Sequence, residues 1–147
     1  MDALELIKAD HQRILSLFNQ VKAETGVQQI KLLVQNIRHD LELLFYAKEN
    51  VFYPAFKNYP HMVGIAKDSV AQQNEMKESI ASISKMQEDG LDFQNCILEL
   101  KNHVESYITS EEEEFFPLVH QEMKRPERER LGRHFQAVKQ EREESVA

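Results

Sequence analysis

The sequence predicts an all-α fold: an up-down-up-down antiparallel four-helix bundle, built as a duplicated helical hairpin, with a short fifth helix at its C-terminal end. Three observations predict it. Apolar residues recur at three- and four-residue steps along most of the chain, the period of a helix with one buried face. Only four Gly and four Pro occur in 147 residues, too few for a turn-rich β architecture. An acid-aromatic-aromatic-proline order also occurs twice, in Glu49-Asn50-Val51-Phe52-Tyr53-Pro54 and Glu112-Glu113-Glu114-Phe115-Phe116-Pro117. At almost the same spacing, Asp10-His11 aligns with Gln72-Gln73. Two similar hairpins with short connections give antiparallel neighbours around one core.

The first helix is expected over residues 2–22, with Leu4, Ile7, His11, Ile14, Leu15 and Phe18 on one face; Glu24-Thr25-Gly26 breaks it. The second, over 27–53, turns Ile30, Leu33, Ile37, Leu41, Leu44, Lys48 and Val51 inward, and Pro54 ends or kinks it. Tyr59-Pro60 belongs to the connection. The third is expected over 62–88, closed by Asp89-Gly90. The fourth begins near Asp92 and runs through Leu100, Val104, Tyr107, Ile108 and Glu111 towards Pro117. A highly charged segment over 127–144, with Leu131, Phe135 and Val138 at helical spacing, makes the fifth. The expected organisation is a bundle over 1–125 and a charged helix and tail over 126–147 packed on it.

Composition bounds the function. With 18 basic and 25 acidic residues the net charge is −7, against the basic footprint that nucleic acid or an anionic membrane surface requires. No stretch approaches the roughly 20 apolar residues of a membrane span. Acids and a His stand near the N-terminus, where a signal peptide carries an apolar run. Cys96 is alone, so neither an internal disulfide nor a cysteine-based zinc site is expected. A cytoplasmic address follows by default.

Inside the expected bundle the helices bring polar residues to one level. Helix one offers His11, helix two Lys48 with Leu44 a turn before it, and helix three Gln73 with Lys77 a turn later. On helix four, His103, Tyr107 and Glu111 share a face at four-residue steps. Buried polar groups are costly unless paired, so this cluster asks for an explanation. A His and a carboxylate projecting inward from separate helices are the parts of a bundle metal site.

In these residues the chain resembles the hemerythrin-like proteins, the HHE cation-binding domain family. The resemblance covers residues 1–122 or more. It rests on Asp10-His11, on Lys48-Glu49 through Pro54, and on Glu111-Glu112 through Pro117. It implies the bundle fold, and for members of the family a non-haem di-iron centre used to store, carry or sense oxygen or related molecules. Of the ligand positions it implies, His11 and Glu111 keep their type. The second-helix His falls on Leu44 and its Glu on Lys48; the third-helix His falls on Gln73 and the fourth-helix His on Tyr107. Leu44 ligates nothing, and an ammonium at Lys48 repels a divalent cation. A full di-iron centre is therefore not expected; either no metal or one weakly held ion is.

Each candidate has a bland and a sharp reading. His11 is a core histidine bonded to Gln73 or Tyr107, or a residual metal ligand. Lys48 and Glu111 form a buried ion pair, or Lys48 is a perturbed catalytic amine with Tyr107 as its partner. His103 and Asp40 form a displaced dyad, or lie apart; His39, His61, His120 and His134 are peripheral. Phe45, Tyr46, Phe52, Tyr53, Phe115 and Phe116 are read as packing. Three functions follow. The first is a binding or regulatory module with a rewired centre of His11, Lys48, Gln73, Tyr107 and Glu111, open to a small molecule in the central cavity. The second is a weak mononuclear iron site on His11 and Glu111, with Glu49 or Glu112 and an oxygen- or redox-related role. The third is an enzyme using Lys48 and Tyr107.

Overall fold

The computed structural model describes residues 1–88 and 90–146, and they form a helical bundle. Helix α1 (Ala3–Ala23) pairs with α2 (Val27–Ala47), and α3 (Pro60–Ile83) pairs with α4 (Leu91–Ser110). After α4 come α5 (Phe116–Glu122) and α6 (Arg125–Val146), the latter lying across α1 and α2. The expected helix boundaries hold to within a few residues, except that α3 stops at Ile83 rather than near Glu88. Asp89, expected in its closure, lies outside the described residues, as does Ala147.

Local chemistry sets the ends. Asp2 caps α1 in a reciprocal box: its carboxylate accepts from the Glu5 amide at 3.0 Å, while its own amide donates to the Glu5 side chain at 3.2 Å. Pro60 opens α3, where a missing N–H costs nothing. The two long central helices do not end conventionally. Each passes into a five-residue π-helical turn, Lys48–Phe52 after α2 and Glu111–Phe115 after α4. These turns occupy equivalent positions of the two hairpins, so the repeat read in the sequence is carried by the backbone as well. In each, the residue just before the proline donates to the first residue of the turn, Tyr53 to Lys48 and Phe116 to Glu111. A proline ring crowds the carbonyl four residues earlier, and a widened turn makes room for it.

The core runs the length of the bundle. At one end the repeated aromatics close on each other: Phe52, Phe56 and Phe115 meet edge to face with centroids 5.3–5.6 Å apart. Phe52 and Phe115 are equivalents in the two hairpins, so the bundle closes there on a pseudo-symmetric contact. Helix α6 adds Leu131 and the fully buried Phe135. It is fastened to the start of α1 by a buried ion pair, Arg128 Nε to Asp2 at 3.0 Å, with Arg128 also donating to the Met123 carbonyl. Burial pushes the Asp2 carboxyl up, but the Glu5 amide and Arg128 hold it below its ordinary value.

Gly132 marks the closest approach of α6. A Cβ there would stand 3.0 Å from backbone atoms of Met1, Asp2 and Ala3, which cannot swing away as a side chain can. Gly64, in α3, faces open space. Gly132→Val should therefore lower stability by about 1–3 kcal/mol through overpacking, whereas Gly64→Ala should raise it by roughly 0.5–1 kcal/mol through helix propensity. Urea unfolding followed by circular dichroism measures both; equal signs would contradict the packing described.

Candidate functional site

Midway along the bundle, Lys48 is completely buried. Burying an ammonium is tolerable only if it is paired and hydrogen-bonded, and here it is both. Its Nζ lies 2.6 Å from Glu111 Oε1, 3.0 Å from His11 Nε2 and 2.9 Å from Tyr107 Oη. The residue that supplies the positive charge opens one π turn and the residue that supplies the negative charge opens the other. The pair thus joins equivalent points of the two hairpins.

That arrangement dictates the rest by counting donors. Because His11 Nε2 accepts from Lys48, its proton must sit on Nδ1, which donates to Glu112 Oε2 at 2.7 Å. Gln73 Nε2 donates to Tyr107 Oη at 2.7 Å and to Tyr53 Oη at 2.9 Å. Tyr107 thereby accepts from both Lys48 and Gln73, so its own proton goes to Tyr53, 2.9 Å away. Tyr53 passes its proton to Glu111 Oε2 at 2.6 Å. Every polar atom of the cluster is then used except Gln73 Oε1, which has no partner; Glu111 Oε1 is met by the Lys48 charge.

Burial pushes the Lys48 ammonium below its ordinary pKa, and the Glu111 charge offsets that only in part. Burial and the neighbouring Lys48 charge push the His11 pKa down, so its imidazole is neutral near pH 7. Burial pushes the Glu111 carboxyl up, but the Lys48 charge and the hydrogen bond of Tyr53 more than offset it and hold it below its ordinary value. Burial and the Glu111 charge raise both Tyr53 and Tyr107 well above the ordinary phenol value, so neither becomes a phenolate.

The structure brings together His11, Lys48, Gln73, Tyr107 and Glu111, and adds two residues. Glu112 enters from the acidic run and, with Lys48, supplies the partners of His11 where Gln73 or Tyr107 was expected. Tyr53, read in the sequence as packing, is at the centre. Its signal is visible only with the π turn: Tyr53 lies five residues after Lys48, a step that a regular α-helix would place on another face. Its equivalent, Phe116, stacks on His11 with planes 9° apart.

Other candidates lie elsewhere. Glu49 pairs with Lys77 at 3.2 Å on the half-buried flank, away from His11. Asp40 pairs with Arg13, and His103 sits 4.0 Å from Glu75, so the two form no dyad. His39, His61, His120 and His134 are exposed. Among the described residues no group of three or more His, Cys, Asp and Glu side chains is placed to hold a metal ion.

Comparison with known proteins places this arrangement in a family. The chain is 23% identical over 139 residues to a protein of Nostoc sp. (strain PCC 7120) named DNA nickase; the match covers 95% of the chain but 39% of that relative's length. Its fold is similar to the crystal structure of a hemerythrin HHE cation binding domain-containing protein, a Rv2633c homologue from Mycobacterium kansasii. There the TM-score is 0.82 at 17% identity, over 96% of this chain and 86% of that one.

Three outcomes test the centre. Lys48→Met and Glu111→Gln should each cost about 3–5 kcal/mol by stranding the other group, and the double variant should cost clearly less than their sum. Stability should fall as pH drops below about 6.5, because unfolded His11 takes up a proton that burial and the Lys48 charge, against the opposing pull of Glu111 and Glu112, keep off it in the fold; denaturant midpoints across pH should show this decline flattened in His11→Gln. A further acid loss follows as Glu111, held low in the fold, is protonated. The model of the hemerythrin HHE cation binding domain matches residues 2–119, and the chain belongs to that family.

Proposed function

We propose that this protein is a hemerythrin-like binding or regulatory module in which an internal ion pair does the structural work of a metal centre. One observation carries the reading: the Lys48 ammonium stands between Glu111 and His11, the two candidate ligands that keep their type, and donates to the imidazole nitrogen that would face a metal. A divalent cation there would meet a positive charge at close range. Buried Leu44, and Tyr107 within the cluster, stand where the family resemblance implies imidazoles. The residues present do not fit a di-iron group.

The rival readings meet specific obstacles. A mononuclear site needs His11 Nε2, which is already committed to Lys48. An enzyme using Lys48 and Tyr107 needs a free amine and an access route, yet the Lys48 amine is engaged by Glu111, His11 and Tyr107 and both side chains are buried. The nicking in the name of the Nostoc relative does not carry over: this chain spans 39% of that protein, and this chain's net charge of −7 offers a polyanion no electrostatic attraction.

The test is elemental analysis after growth with added iron and purification without chelator. The expected result is well under the two irons per chain of a di-iron bundle; two tightly held equivalents after gel filtration would overturn the reading. Leu44→His, Lys48→Glu, Gln73→His and Tyr107→His introduced together should bring iron binding. A folded quadruple variant that takes up none would contradict the view that these positions are former ligand positions.

A further inference from the structure

Helix α6 does not rest on the bundle evenly. In its first half the fit is close. Leu131, Gly132 and Phe135 are buried, Arg128 is buried against Asp2, and at Gly132 the backbone of residues 1–3 leaves no room for a Cβ. Past Phe135 no described side chain is fully buried, and only Val138 and Lys139 are half-buried. Here helix and bundle flank a crevice of about 800 Å³, lined by Gln136, Gln140 and Glu143 from α6 and by Arg13, Asp40 and Leu43 from α1 and α2.

What holds this second half is charge. Lys139 Nζ lies 2.6 Å from Asp10 Oδ2, and His39 Nε2 lies 3.2 Å from Glu143 Oε1. The Arg142 guanidinium lies over the Tyr46 ring, 4.6 Å from its centroid. Contacts at the surface, such as that of Glu143 with His39, are weak and screened by salt. Asp10 is buried, yet it does not depend on Lys139 alone, since Arg13 also donates to it at 2.8 Å. Lifting the segment therefore strands no buried charge on the bundle, and its own charged groups pass to water. Val138 is the one half-buried apolar side chain that moves with it.

We infer that α6 from Gln136 onward is a charge-held latch, opening as a unit about Phe135 while the first half of the helix stays docked. The latch belongs to α6 alone and is independent of whether the centre holds metal. It nonetheless bears on the centre through Asp10, which precedes His11 in α1 and whose charge favours the Lys48 ammonium. With the latch closed, Lys139 shares that charge; with the latch open, it does not. The position of a surface segment is thereby felt at the buried amine.

The test is amide hydrogen exchange of the full chain, read residue by residue by NMR at low and high sodium chloride. A segment this short has little helical stability of its own once detached, so opening exposes its amides. Residues 140–146 should exchange as a block, about tenfold or more faster than residues 129–135. The block should speed up by about threefold or more between roughly 0.05 and 0.5 M salt. Lys139→Gln should speed it by about fivefold or more at low salt, leave 129–135 and α3 unchanged, and move the Lys48 Nζ resonance. Lys139→Arg, which keeps the charge, should behave as the parent. Simple fraying would give rates graded from the helix end and indifferent to salt and to Lys139. That result, or exchange of all of α6 in step with α3 at both salts, would overturn the latch; a Lys48 resonance unmoved in Lys139→Gln would overturn its link to the centre. The salt series uses the parent chain and decides for or against the latch should Lys139→Gln fail to fold.

Discussion

The centre of this bundle is organised by one demand, that a lysine ammonium with no access to water must be paired and hydrogen-bonded. The demand propagates outward. It fixes which nitrogen of His11 carries a proton, keeps Glu111 ionised, and orients the Tyr107 hydroxyl and the Gln73 amide. Each of those groups would be a liability alone in an apolar interior, and each is tolerable because another completes it. The network is also the tie between helices: α1 contributes His11, α3 contributes Gln73, and the two π turns contribute Lys48 and Glu111.

The duplication explains why the charges can cancel. Lys48 and Glu111 occupy equivalent positions of two hairpins facing each other across the bundle, so opposite charges at that one position meet without further rearrangement. The same pseudo-symmetry brings Phe52 against Phe115. Where the halves differ, the difference is used: Tyr53 donates to Glu111, while its counterpart Phe116 has no hydroxyl and packs on the imidazole instead.

Much of this was legible in the residues. Three- and four-residue periodicity located the helices, and the repeated acid-aromatic-aromatic-proline order located the duplication. His11, Lys48, Gln73, Tyr107 and Glu111 were readable as inward because they fall on the apolar faces of their helices. Tyr53 and the pairing of Glu112 with His11 were not, because both depend on a local change of helical period that no single residue announces. A proline after two aromatics signals a break, not the wider turn that precedes it. His103 shares a four-residue step with Tyr107, yet it is only half-buried and lies 4.0 Å from Glu75, apart from Asp40.

The two π turns have a consequence for how this sequence can change. Each holds one residue more than an α-helix of the same rise would need, and its length sets the direction of everything after it. Were Lys48–Phe52 or Glu111–Phe115 to relax to ordinary helix with all its residues kept, the side chains that follow would turn by about 100°. Tyr53 would leave the network in the first case and Phe116 would leave the imidazole in the second. Of the acidic run, Glu111 and Glu112 are tied to Lys48 and His11, so only the exposed Glu113 and Glu114 stand outside the central network, and even they hold the wide turn that aims Phe116.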